Sequence, residues 1–413
     1  MERGGRVTVV SGSAVQDSAD VLRTAMVDEI RDVEREMGAT LSEAVAVAMS
    51  AVPRHLFAPG VSLEAAYESN RALVIKRDLG GAALSSLSAA HIQAMMLTQA
   101  EIEPGMRVLE VGSGGYNAAL LQELVGEDGK VTSVDIDPEI AIRARACLDT
   151  AGYDRVNVVL ADAENGVPQG APYDRIIVTA GSWDIPPAWL DQLTGSGRLV
   201  VPLRMRGITR SIAFDRDGSG LVSSNYRLCG FVPMQGDGAH SERVIRINDE
   251  VALRTDNETL QVDAEALLRA LDSPMVRRWS GEAFDLPDEL ELFLVTNAPQ
   301  VAMLHASERL VELGVFTIAA SMGVAALVKG GSFAYRTKRA NEETGGFESG
   351  VIARGPEAEE LAEYDVGLLR RWAKNYRRRH AARIQYIPKS VDINEQFPGV
   401  IAKRHGTVVV SWP

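Results

Sequence analysis

Residues 108–121 read VLEVGSGGYNAALL, an apolar run that meets three glycines within four positions and passes directly into an aliphatic helical pattern. An unbroken apolar run of strand length, bounded by glycine, fits a strand covered on both faces, as in a parallel sheet. A strand, a glycine turn and a helix in that order form the unit with which open α/β sheets hold nucleotides, because backbone N–H groups at the helix start face the ligand. The dinucleotide fingerprint wants glycine at the first, third and sixth positions, the last for close packing of helix on strand. Gly112 and Gly114 fit, Gly115 follows at once, and Asn117 stands where the third glycine belongs.

Outward from this turn the pattern repeats. KVTSVDID (130–137), NVVLADA (157–163), DRIIVTAG (174–181) and GRLVVPL (197–203) are strand-like, and YNAALLQELVG, PEIAIRARACLDTAG and PPAWLDQL between them are helical. Strands separated by helices imply a parallel sheet with crossover helices. Glu110, Asp135 and Asp162 end three successive strands. Singly, each fits a solvated strand end. Together they would repel a pyrophosphate, whereas S-adenosylmethionine carries a sulfonium, an ammonium, a ribose diol and an adenine amine that suit carboxylates. The set points to a methyltransferase.

Two domains are expected from 413 residues, since one core rarely serves so long a chain. Residues 1–17 read as a loose tail, 18–240 as the cofactor-binding domain and 241–413 as a second α+β domain. Within the first, Ser18 to Ser50 carries apolar residues at helical spacing, and VPRHLFAPG then breaks the pattern. SIAFDRDGSGLVSSNYRLCGFVPM reads as antiparallel β around an Asp-Gly turn. A net charge of −13 argues against a general nucleic-acid binder. Cys147, Cys229 and six scattered histidines offer no metal-ligand spacing, so no metal is expected. No apolar run reaches membrane-span length, and the start lacks a signal-peptide core, so a cytoplasmic location and no membrane partner are expected.

The segments VPRHLFAP, PGMRVLEVGSGGYNAALLQEL, SVDIDPEI, APYDRIIVTAG, IPPAWLDQL, GRLVVPL and GFVPM, in this order over about residues 50–236, resemble the protein L-isoaspartyl/D-aspartyl O-methyltransferase family. The resemblance implies a Rossmann-like class I S-adenosylmethionine methyltransferase fold. It also implies cofactor contacts at Glu110, Gly112, Ser113, Gly114, Asp135, Ile136, Asp162 and Ala163. SSLSAAHIQAMM matches the family's Thr-Ile-Ser segment, which places the active-site serine at Ser88, with Ser86 at the threonine position and His91 one helical turn on as a substrate-side candidate. Ser88 also fits a helix N-cap. The family's turn reads Gly-(Ser/Thr)-Gly-Ser-Gly-Tyr, so GSGGY is one residue short, and Ala90 and Ala163 replace its proline and a glycine.

The chemistry implied is esterification of an aspartyl or isoaspartyl side chain of a peptide or protein, after which succinimide closure leads to aspartate or isoaspartate. The extension of about 170 residues resembles that of tailoring enzymes for ribosomally made peptides, above all lanthipeptides, and other peptide-modifying enzymes are expected partners. LLRRWAKNYRRRHAAR (368–383) reads either as a dock for an acidic peptide, through Arg377, Arg378 and the rings of Trp372 and Tyr376, or as a solvated helix pairing with the preceding EAEELAEYD. General isoaspartate repair, and a cofactor-binding scaffold without transfer activity, are the alternative functions.

Overall fold

The computed structural model describes residues 12–257, 260–285, 287–379, 381–391 and 399–413. It divides into two compact units, one of residues up to 202 with 211–216 and 224–239, the other of 203–210, 217–223 and 240 onward. The division does not fall at a single linker, since the strands after residue 193 contribute to both.

The first unit opens with α1 (Gly12–Glu36) and α2 (Glu43–Ala51). Of the expected tail, residues 1–11 lie outside the described residues and 12–17 belong to α1, where no proline stops the helix. Ala19, Met26, Val27 and Ile30 form its buried stripe. After the short α3 (Leu63–Ala66) come a hairpin of β1 (Leu73–Arg77) and β2 (Ala83–Leu87), then α4 (Ala90–Ala100). The α/β core follows as β3 (Arg107–Val111), α5 (Tyr116–Val125), β4 (Lys130–Asp135), α6 (Pro138–Ala151), β5 (Asn157–Leu160), β6 (Tyr173–Val178), α7 (Pro187–Gln192) and β7 (Leu193–Met205). The long strands β8 (Ile208–Asp217) and β9 (Gly220–Leu228) continue the chain.

Strands β5, β4, β3, β6 and β7 pair in that order, all parallel. The chain therefore enters at β3, moves outward to β5 and returns to the other side of β3, which opens a crevice at the strands' carboxyl ends. Val108, Leu109 and Val111 of β3 and Ile176, Ile177 and Val178 of β6 are fully buried, as covering helices require. Helix α6 begins sharply because the Asp137 side chain accepts from Glu139 N at 2.9 Å and Pro138 occupies its first turn, and it ends on left-handed Gly152.

The second unit contains β10 (Arg243–Arg246), β11 (Val251–Thr255), α8 (Ala264–Leu271), β12 (Val276–Ala283), α9 (Pro287–Asn297), β13 (Val301–Ala306), α10 (Glu308–Glu312), α11 (Ala319–Met322), β14 (Val324–Lys329), β15 (Ser332–Asn341), β16 (Gly346–Arg354) and α12 (Ala358–Asn375). An antiparallel sheet in the order β10-β11-β13-β14-β15-β16-β12 surrounds a core of Leu253, Leu267, Leu304, Phe316, Phe333 and Tyr335. The final stretch folds back as a pair, β18 (Val400–Ala402) and β19 (Gly406–Ser411), with β17 (Arg383–Pro388) on the other side of β19.

The basic stretch does not match its sequence reading. Trp372 is only 4% exposed and packs with Phe293, Tyr376 and Trp412 at ring separations of 5.5–6.3 Å. Its indole N–H donates to Asp285 Oδ2 at 3.0 Å, and Arg377 Nε donates to the same oxygen at 2.6 Å. Trp372 is thus a core residue and Arg377 is committed to Asp285, so neither is a free recognition group. The acidic and basic segments share one helix, where Arg370 Nη1 donates to Glu363 Oε1 at 3.3 Å, and Arg371 Nη2 donates to Asn297 Oδ1 of α9 at 2.7 Å. Arg378 and Arg379 remain exposed, and His380 lies outside the described residues.

Candidate functional site

A cleft with about 650 Å³ of open space lies at the ends of β3, β4 and β6. The glycine turn forms its floor. Gly112 has φ +95°, and a methyl group there would stand 2.6 Å from Thr179 Oγ1, so no other residue fits without displacement. Gly115, at φ +84°, leads straight into α5, which is how the turn closes one residue early. Asn117, at the position of the missing third glycine, turns its amide inward and donates to Glu110 Oε1 at 2.9 Å. A buried side-chain bond thus replaces the usual bare helix–strand contact.

That bond corrects the expectation for Glu110. Its carboxylate accepts from Asn117 and from Ser133 Oγ, is 0% exposed and does not line the cleft. Burial pushes its pKa up to about 7 in spite of both donors. Glu110 therefore braces the turn from beneath.

The other cofactor-side candidates converge. Gly112, Ser113, Gly114, Asp135, Ile136, Asp162 and Ala163 all line the cleft. Asp135 accepts Ser113 N at 2.8 Å through Oδ2 and Asp137 N at 2.9 Å through Oδ1, and burial raises its pKa. Asp162 accepts Glu164 N at 2.9 Å and Asp237 N at 2.8 Å. The Ser113 hydroxyl is buried in this wall without a protein partner among the described residues. Carboxylates with lone pairs to spare and an orphaned hydroxyl fit a ligand rich in hydroxyl and amine donors. The residues present thus suit S-adenosylmethionine.

On the acceptor side, β2 lies over the turn, for a methyl on Gly114 would touch Leu87 Cδ1 at 3.6 Å and Ser86 O at 3.9 Å. Ser86 lines the cleft, and Ser88, half-buried, follows just beyond the strand. Ser88 is not a helix cap, because the residue flanking α4 is Ala89 and no side chain caps that end. His91 does not line the cleft, and its Nδ1 lies 3.0 Å from Ser69 O. Arg377 and Arg378 belong to the second unit, where they border a different pocket with Phe284 and Tyr376.

Sequence reasoning missed three contributors. Thr179, at the tip of β6, holds the turn through bonds to Val111 O (3.0 Å) and Gly112 O (2.9 Å). Lys76 ties β1 to Asp137 (2.7 Å) and Glu139 (2.8 Å). The segment 232–238 closes the cleft beside Asp162, with Gln235 Nε2 donating to Leu84 O at 3.2 Å and Asp237 N to Asp162 Oδ2 at 2.8 Å. Its signal was Gly236 in QGDG, at φ +74°, where a methyl would lie 2.5 Å from Ile136 Cδ1 and closer still to the Asp162 carboxylate. Gly236→Ala is expected to cost about 1–3 kcal/mol of cofactor affinity through strain and displaced neighbours. Calorimetric titration with S-adenosylmethionine checks this, and an unchanged dissociation constant would detach the segment from the site.

The family model for protein-L-isoaspartate(D-aspartate) O-methyltransferase matches residues 25–239. The chain belongs to this family. Protein-L-isoaspartate O-methyltransferase 2 of Archaeoglobus fulgidus is 40% identical over 199 residues, covering 48% of this chain and 87% of the relative. The protein-L-isoaspartate O-methyltransferase of Methanopyrus kandleri is 40% identical over 217 residues, covering 51% and 93%. A solved protein-L-isoaspartate O-methyltransferase structure aligns over 87% of this chain and 96% of its own, at 23% identity and a TM-score of 0.48. As a member of the protein-L-isoaspartate(D-aspartate) O-methyltransferase family, the chain is an enzyme whose cofactor is S-adenosylmethionine. Among the described residues, no helix is long and apolar enough to cross a membrane and no cluster of potential metal ligands occurs.

Proposed function

We propose that this methyltransferase esterifies an aspartyl or isoaspartyl side chain of a particular peptide, of the ribosomally made lanthipeptide type. The observation that carries this reading is the second unit, which has its own core and, apart from residues 203–210 and 217–223, lies beyond the family match that ends at residue 239. The altered acceptor segment SSLSAAH supports it.

Asp135 accepts from the ribose hydroxyls, Asp162 from the adenine amine, and Ser113 and the backbone of the glycine turn complete the wall. Bound S-adenosylmethionine supplies an electrophilic methyl group on sulfur. A peptide carboxylate, with an ordinary pKa of about 4, is already ionised at neutral pH and needs no general base. The protein's task is alignment and exclusion of water. The Ser88 hydroxyl donates to the non-attacking carboxylate oxygen and so aims the other at the methyl carbon. Arg378 and Arg379, exposed beside Tyr376, are the remaining candidates for holding an acidic peptide.

General isoaspartate repair is the second reading, favoured by 40% identity to relatives that bear that name. Labelled S-adenosylmethionine offered with a short isoaspartyl peptide and with a thioether-bridged aspartyl peptide separates the two. Labelling of the isoaspartyl peptide alone would favour repair, and tight cofactor binding with no labelling of either would favour a scaffold. Ser88→Ala should lower turnover roughly tenfold or more with cofactor affinity unchanged, and full turnover in that variant would remove Ser88 from alignment. Reversing Arg378 and Arg379 to glutamate should raise the Michaelis constant for a long acidic peptide and flatten the weakening of peptide binding with salt expected of the parent. An unchanged constant in a well-folded variant would reject the dock.

A further inference from the structure

Arg54 is 0% exposed, yet none of its bonds among the described residues goes to a carboxylate. Its Nε donates to Ala66 O at 2.8 Å, Nη1 to Gln93 Oε1 at 2.8 Å and Nη2 to Ser88 O at 2.7 Å. The guanidinium also lies 4.8 Å from the ring centroid of Tyr116, the residue that starts α5 directly after the glycine turn. A buried cation without a counter-ion is costly, and only a planar fork with several fixed donors satisfies three separate acceptors at once. An apolar side chain of similar volume would leave these three acceptors without their donor, so the fork is what holds the three segments to one another.

What the guanidinium joins gives it a purpose. One donor fixes the backbone of Ser88, another the first part of α4 through Gln93, and the ring contact reaches the end of the cofactor turn. Ser88 sits in a short link between β2 and α4, with no side-chain cap to hold it. We infer that Arg54 is a positioning residue for methyl transfer, clamping the Ser88 backbone at a fixed place relative to the glycine turn. This rests on the reading of Ser88 as the aligning hydroxyl.

The test uses the full chain with S-adenosylmethionine and an isoaspartyl peptide. Arg54→Lys keeps the charge but cannot reach three acceptors at once. It is expected to lower kcat about tenfold, with the cofactor dissociation constant and the peptide Michaelis constant within about twofold of the parent. In a double-mutant cycle with Ser88→Ala, the two kcat losses should be strongly less than additive, because both remove the same alignment. Additive losses, or a kcat that is unchanged while the melting temperature falls, would overturn the inference and leave Arg54 a packing residue. If Arg54→Lys does not fold, Gln93→Met loosens the same guanidinium, and additivity with Ser88→Ala overturns the inference there too. A silent Ser88→Ala beside a large Arg54→Lys loss would instead overturn the Ser88 reading on which the inference rests.

Discussion

Trp372→Ala should destabilise the second unit by about 3–5 kcal/mol, the usual cost of emptying a large aromatic site. The ring is 4% exposed and meets Phe293 and Trp412 at 5.5 Å, so truncation removes both apolar burial and ring–ring contacts. It also leaves Asp285 with one donor fewer. Denaturant unfolding followed by tryptophan fluorescence and circular dichroism checks this, read as separate transitions if the two units do not unfold together. A loss under about 1 kcal/mol would mean that the ring is solvated and free to meet a peptide after all.

Asp135→Ala should weaken S-adenosylmethionine binding by about 1–3 kcal/mol, roughly tenfold to a hundredfold in dissociation constant. The variant would lose the charge-assisted bonds proposed to the ribose and also the carboxylate's hold on the turn, since Ser113 N and Asp137 N both donate to Asp135. Because burial raises its pKa, binding is expected to decline on acidification from above the ordinary aspartate range. Calorimetry across pH checks both statements, and an unchanged constant in the alanine variant would remove Asp135 from the site.

The α/β core was legible because its signals are local. An apolar run, a glycine turn and an acidic strand tip each occupy a few consecutive residues, and the parallel sheet follows from their alternation. Gly114, Asp135 and Asp162 could be brought together on that basis, and Ser86 only through the family resemblance. Glu110 could not be placed, because a strand-end carboxylate reads alike whether it faces a cleft or is drawn under by Asn117 and Ser133. Arg54, Thr179 and Gln235 were missed for a related reason. Their partners Ser88, Gly112 and Leu84 lie 34, 67 and 151 residues away, and no periodicity reports such pairs. Trp372 misled because arginines flank it in sequence, whereas on a helix its neighbours in space are three and four residues away.

Asp162 ties two stretches of chain together before any ligand arrives. Its Oδ1 accepts the Glu164 N–H at 2.9 Å and its Oδ2 the Asp237 N–H at 2.8 Å, so the carboxylate is held at a fixed angle in the cleft wall. Each oxygen keeps a second lone pair. The amine proposed to bind there would add a bond to an acceptor whose orientation is already set, so little conformational entropy would be lost at that end on capture.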